Sequence, residues 1–265
     1  MVLDVPPSPT PSTFSHRSYA SSVPPSPAAQ RMLQAYRAKH MIVALVDKLR
    51  SAKPEDRMAG ASQIEKLAND GEEIQGLFRD AGAVPLLVAM LQRGLSEAEV
   101  GLRAIINMVC NNHECKEAVR GAGGVPHLVT LTNVPPDHGI TRWAVWAVGA
   151  LASNNPENQD AVRRHGGIKP LVRLLSPSTP SDVASEAAIS LLTLSFNWPA
   201  NQDAVRAEGG VAALVGLLGE GNADETTLQA VLALNALVGD NIPIKEEIRD
   251  VGGLPHLVRL LKVRV

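Results

Sequence analysis

Apolar residues follow a helical rhythm from Ala28 onward, recurring every three or four positions between short polar stretches. Within this pattern a pair of glycines (Gly-Ala in the first copy) precedes an apolar run, as in RRHGGIKPLVRLL over residues 163–175. The first glycine recurs at intervals of 41 residues once and 43 residues three times, at Gly82, Gly123, Gly166, Gly209 and Gly252. A fixed period of this length is typical of a stacked helical solenoid.

Each repeat unit is predicted to contain a short helix, a second helix with the pattern LVxLL after the glycines, and a longer third helix. The first glycine allows a sharp turn, and the second allows close helix packing. One copy alone would also suit a phosphate-binding loop, but five copies in register favour a structural bend. The predicted third helices cover residues 96–110, 139–152, 181–194 and 224–238. The residues that follow them are predicted to close each unit and cap the next helix: Asn111, Asn154, Asn197 and Asp240.

The two ends of the array depart from this pattern. The segment from Met41 keeps the apolar spacing without the glycine pair, so we interpret it as a degenerate first unit. The last segment, LPHLVRLLKVRV, stops inside a predicted second helix. Since terminal repeats need a polar cover, either the chain is a fragment or this end meets a partner. The sequence predicts an all-α solenoid of about five and a half units over residues 28–265.

The amino-terminal segment, residues 1–27, has a different composition. Proline and serine occupy 14 of its 27 positions, so it is predicted to be disordered. Ser8, Thr10 and Ser26 each precede a proline, which makes them candidate sites for proline-directed kinases. The alternatives are an unmodified polar tail or a polyproline II ligand for another domain.

Composition narrows the possible functions. The net charge of −2 argues against a general nucleic-acid binder, and no apolar run is long enough for a transmembrane helix. Two cysteines without a secretory signal favour a reducing compartment, so a cytoplasmic or nuclear location is expected. Cys110, His113 and Cys115 lack the spacing and the fourth ligand of a zinc site. With no catalytic or nucleotide-binding motif, we predict a protein that is not an enzyme and needs no cofactor.

The repeat unit resembles the armadillo repeat. The residues that carry the resemblance are the glycine pair, the LVxLL helix and the long third helix with AVWAVGALAS, and it covers roughly residues 30–265. The resemblance implies a right-handed superhelix of three-helix units. It also implies binding of extended peptides in a concave groove lined by the third helices.

The spacing of three to four residues predicts which side chains line that groove. An asparagine there can pair with both N–H and C=O of a peptide, and a tryptophan can stack on Lys or Arg stems. The opposing interpretation is that Trp146 packs between units and the polar residues form a solvated face. The predicted groove residues are Glu99, Arg103, Asn107, Arg142, Trp143, Trp146, Glu186, Thr193 and Gln229.

Two subfamilies share further features. AVWAVGALASNNPE is similar to importin-alpha at Trp146, but the expected groove asparagine is Ala150, and the regular Trp–Asn ladder is missing. The segment from Pro54 is similar to armadillo regions of plant-type U-box ubiquitin ligases, although no U-box is present. We therefore expect a scaffold for extended peptides of partner proteins. The alternatives are the substrate-recognition part of such a ligase or, with less support, a nuclear import adaptor.

Overall fold

The computed structural model of the chain describes residues 39–219 and 224–262, and these residues form helices joined by short turns. The first described helix, α1, covers residues 39–49 and is followed by α2 (Pro54–Ala68). Four three-helix units come next: α3 (Glu72–Asp80), α4 (Ala83–Met90) and α5 (Leu95–Val109); α6 (His113–Gly121), α7 (Gly124–Leu131) and α8 (Gly139–Ala152); α9 (Pro156–Arg164), α10 (Ile168–Arg173) and α11 (Ser181–Ser195); α12 (Pro199–Ala207), α13 (Gly210–Gly216) and α14 (Asp224–Val238). Two helices follow them, α15 (Ile242–Asp250) and α16 (Gly253–Lys262).

The long helices pack side by side in a row, in the order α2, α5, α8, α11 and α14. The predicted bounds of the four third helices, α5, α8, α11 and α14, agree with the structure to within one residue at each end. The second helices pack against the row and bury their LVxLL side chains, such as Leu171, Leu174 and Leu175, in an aliphatic core. The core is continuous along the chain because each unit buries its apolar faces against its neighbours.

The glycine pair has the predicted roles. Gly166 has a φ of 74°, a left-handed conformation that costs a side-chain-bearing residue about 1–2 kcal/mol. Gly167 has ordinary helical angles, but a Cβ there would lie 2.6 Å from Cγ1 of Val162 and 3.0 Å from Cγ2 of Val129. The first position therefore needs glycine for its backbone, and the second needs it for space.

The residues after the third helices behave differently from the prediction. Asn111, Asn154 and Asn197 adopt positive φ values of 56°, 51° and 54°, so they close the units by turning the chain. The prediction that they also cap the next helix is wrong, because the N-cap position lies one residue later, at Asn112, Asn155 and Trp198. Asn155, for example, accepts a hydrogen bond from the backbone N–H of Asn158 at 2.9 Å. Asparagine tolerates the left-handed turn better than most residues, and capping needs extended backbone.

In each of the four three-helix units, a polar side chain of the first helix donates a hydrogen bond to a backbone carbonyl at the end of the third helix. Gln75 donates to the Asn107 carbonyl at 2.8 Å, and Gln159 donates to the Thr193 carbonyl at 2.6 Å. Gln202 occupies the same repeat position, and in the second unit Lys116 replaces glutamine and donates to the Ser153 carbonyl. These bonds satisfy carbonyls that the last turn of a helix leaves without intrahelical partners.

A buried ion pair that the repeat pattern did not predict joins α2 to α5. Arg57 donates to both carboxylate oxygens of Glu97, at 2.8 and 2.7 Å, and to the carbonyls of Ser51 and Ala52. The Arg57 guanidinium lowers the pKa of Glu97, while burial acts in the opposite direction. Because both side chains are buried, the pair holds the first two helices of the row in register.

The carboxy-terminal helix α16 lacks the cover that its counterparts have among the described residues. Leu254, Val258 and Leu261 are at least half exposed, whereas residues at the same repeat position in α13 and just after it are buried. None of the described helices is long and apolar enough to cross a membrane.

Candidate functional site

The predicted groove residues all lie on the row of long helices, and each is at least partly exposed. Helix α5 carries Glu99, Arg103 and Asn107, helix α8 carries Arg142, Trp143 and Trp146, helix α11 carries Glu186 and Thr193, and helix α14 carries Gln229. Neighbouring long helices are in contact, and we call this set of partly exposed residues the third-helix surface.

The centre of the third-helix surface is aromatic. The rings of Trp143 and Trp146 are stacked, with centroids 5.5 Å apart and planes 17° from parallel. The Arg103 guanidinium lies 5.9 Å from the Trp143 ring, within the range of a cation–π contact. Trp143 packs partly against the core, whereas Trp146 is 39% exposed. Trp146 is therefore the ring that is open to a ligand.

Two polar residues of α5, Asn107 and Arg103, make polar contacts with Glu65 of α2. Asn107 donates to the backbone carbonyl of Glu65 at 2.7 Å, and Arg103 lies 3.2 Å from the Glu65 carboxylate and 3.7 Å from that of Glu99. Asn107 and Arg103 were predicted to bind a peptide, but they use part of their hydrogen-bonding capacity on contacts within the chain. The amide of Asn107 keeps one further N–H for a ligand.

The remaining polar residues of the surface are held in a similar way. Arg142 lies 3.7 Å from the carboxylate of Asp182. Thr193 donates to the carbonyl of Ser190 at 2.9 Å, and Gln229 donates to Glu225 at 2.6 Å. Burial raises the pKa of Glu186, and Arg142 opposes this effect.

A cleft that sequence reasoning missed opens where α8 and α11 end. It has a volume of about 510 Å³, and its apolar lining comes from Pro156, Leu192, Phe196 and Trp198. Phe196 is 55% exposed. The indole Nε1 of Trp198 is buried and has no hydrogen-bond partner among the described residues. A comparison of the repeat units could have revealed the cleft, because other units carry small or polar residues at the positions of Phe196 and Trp198.

Other predicted features lie elsewhere. Ser8, Thr10 and Ser26 fall outside the described residues, as does the predicted disordered segment. Cys110 is exposed, whereas Cys115 is buried, which raises its pKa to about 11. In the described part of the chain, no group of three or more His, Cys, Asp or Glu side chains could hold a metal ion.

Comparison with known proteins supports the fold. A family described as "Armadillo/beta-catenin-like repeat" matches residues 112–153 and 155–191. The crystal structure of an engineered protein is 30% identical, with a TM-score of 0.79, and the match covers 84% of this chain and 90% of that one. A designed armadillo repeat protein solved in complex with the peptide (KR)4 is 25% identical, with a TM-score of 0.76 and coverage of 83% and 91%. The search of curated proteins found no match.

These likenesses confirm the predicted architecture, an all-α, right-handed superhelical solenoid of three-helix repeats. The matched segments contain both tryptophans of the third-helix surface. The glycine bend, the packed second helix and the row of long third helices are the features that carry the assignment. The chain belongs to the armadillo repeat family.

Proposed function

We propose that the chain is a non-enzymatic scaffold that binds extended peptide segments of partner proteins along the third-helix surface. The observation that carries the proposal is the exposed ring of Trp146, which is stacked on Trp143 at the middle of the row of long helices. An exposed tryptophan on a rigid support is a typical contact anchor in protein interfaces. The designed armadillo protein that binds (KR)4 provides a structural precedent for such binding.

The charges of the surface favour peptides that contain Lys or Arg. The surface itself carries Glu99 and Glu186 against Arg103 and Arg142, and the ion-pair partners of these arginines, Glu65 and Asp182, add two more carboxylates beside it. The stem of a lysine or arginine would stack on Trp146 while its charge faces a carboxylate. A cytoplasmic or nuclear location and a role in substrate recognition for a ligase or in nuclear import stay predictions from the sequence.

Peptide selection from a randomised display library tests the proposal. The full chain is immobilised, and enriched peptides are synthesised for affinity measurements with the wild type and Trp146→Ala. We expect enrichment of peptides with basic residues and a loss of about thirtyfold in affinity for Trp146→Ala, since a hot spot contributes about 2 kcal/mol.

The control variant is Ile242→Ser, which removes an exposed apolar side chain from α15, far along the chain from Trp146. It should bind like the wild type. Absence of enriched peptides, or equal affinity of the wild type and a folded Trp146→Ala variant, would contradict the proposal.

A further inference from the structure

The cleft between the ends of α8 and α11 departs from the repeat pattern at two positions. Phe196 corresponds to Cys110, Ser153 and Gly239 in the other units, and it stands out as a large ring among small residues. Trp198 corresponds to Asn112, Asn155 and Asn241. Other units of the same chain therefore adopt the same fold without an aromatic residue at either position.

Both departures work against stability. The asparagines at the position of Trp198 cap the following helix, as Asn155 does by accepting from the N–H of Asn158, but Trp198 makes no side-chain cap. Its indole N–H is also left buried without a partner in the described structure, which carries a desolvation cost. Phe196 exposes more than half of its surface. Features that cost stability and lie together around a cleft indicate a binding function.

The chemistry of the cleft indicates its ligand. The aromatic rings of Phe196 and Trp198 and the ring of Pro156 offer flat apolar walls. The rest of the lining is Leu192 and neutral serine, threonine, asparagine and glutamine side chains, so no lining residue carries a charge. This composition does not complement a basic or phosphorylated side chain. It matches the recognition of proline-rich segments, in which prolines pack on aromatic rings and neutral donors bind the backbone carbonyls of the peptide.

We propose that this cleft binds a proline-rich segment of a partner protein in the polyproline II conformation. The prolines pack between Phe196 and Trp198, and the exposed amides of Asn154 and Asn197 donate to peptide carbonyls. The inference extends the proposed function, because the cleft meets the third-helix surface at Thr193 and adds a neutral subsite beside its charged part. A volume of about 510 Å³ lies within the range of about 300–1,000 Å³ that is usual for ligand sites.

The test uses the full chain and two fluorescein-labelled synthetic peptides. The first contains repeats of Pro-Pro-Leu-Pro and no charged residue, and the second has alanine in place of every proline. The variants are Phe196→Ser and Trp198→Asn, which install residues that other units carry at these positions, so the fold is expected to persist in both. Circular dichroism and thermal melts check that it does.

We expect the wild type to bind the first peptide at least tenfold more tightly than the second, by fluorescence anisotropy. Phe196→Ser and Trp198→Asn should each weaken binding of the first peptide about tenfold, which is about 1.4 kcal/mol. Trp146→Ala should change it less than twofold. The chain has three tryptophans, so an NMR spectrum should show the indole N–H of Trp198 shifting on binding, with Trp198→Phe identifying its resonance.

Three results would overturn the inference: no binding of the proline-rich peptide, equal binding of the alanine peptide, or equal loss in Trp146→Ala and the two cleft variants. The last result would place the peptide on the third-helix surface and leave the proposed function intact. Conversely, failure of the library selection with basic peptides would not change the outcome expected at the cleft.

Discussion

Replacing Gly167 with alanine should destabilise the solenoid, and shortening Val162 should partly rescue it. The added Cβ would lie 2.6 Å from Cγ1 of Val162, well inside van der Waals contact. Since the backbone of Gly167 is already helical, the cost comes from overpacking and should be about 1–3 kcal/mol. Val162→Ala alone removes two buried methyl groups and should cost about 2–3 kcal/mol, including the cavity.

The double variant, Gly167→Ala with Val162→Ala, tests whether the cost of Gly167→Ala comes from the steric clash with Val162. In it, the new Cβ of residue 167 occupies part of the space that Val162 vacated, so the total loss should be smaller than the sum by about 1 kcal/mol or more. The rescue is expected to be partial, because Cγ2 of Val129 and the carbonyl of Val162 would still lie 3.0 and 3.1 Å from that Cβ.

Urea titrations followed by circular dichroism measure the free energies of unfolding of the four proteins. Gly76→Ala is the matched control, since it adds a methyl group to a helical glycine whose Cβ position has no neighbour closer than 4.0 Å. It should be neutral or stabilising by up to about 1 kcal/mol. Strict additivity of the Gly167→Ala and Val162→Ala effects would refute the steric role of the second glycine.

Two more predictions concern buried polar contacts. The Arg57 guanidinium lowers the pKa of Glu97, so the pair stabilises the fold above the usual carboxyl pKa of 4.5 and loses that contribution as the pH falls through the lower folded value. Glu97→Gln should therefore melt at a lower temperature at neutral pH, with a smaller further loss on acidification than the wild type. Lys116→Gln should keep the wild-type melting temperature, because Gln159 makes the equivalent bond in the next unit; Lys116→Leu, which leaves the Ser153 carbonyl unpaired, should cost about 1–3 kcal/mol. A stable leucine variant would show that the bond contributes little.

The repetition explains how much of the fold the sequence could predict. Five copies of one pattern fix the period, so the glycine bends and the third-helix bounds follow from comparing the copies with one another. A contact that occurs in only one unit cannot be found by comparing the copies. Arg57 and Glu97 are 40 residues apart in segments with no shared motif, and their pairing requires knowing that α2 lies against α5.

The candidate site was predictable to a lesser degree. Spacing places Trp143 and Trp146 on one helical face, but which ring is exposed depends on the core beneath Trp143. Likewise, nothing in the sequence of α5 shows that Asn107 reaches the backbone of Glu65. The aromatic cleft could have been found by asking where a unit differs from its siblings, since the departures at Phe196 and Trp198 are visible in the aligned repeats.

The regular reach of the side-chain hydrogen bonds has a consequence for synthesis on the ribosome. Bonds that join helices not consecutive in the chain, such as those of Gln75, Gln159 and Ser190, span 32 to 45 residues in the described structure. A nascent chain would therefore complete each unit about one period after it emerges, without waiting for distant segments. Contacts of this fixed sequence separation impose the same loop-closure cost on every unit. We expect the solenoid to fold unit by unit during synthesis, so that only the most recently made repeat is unfolded at any time.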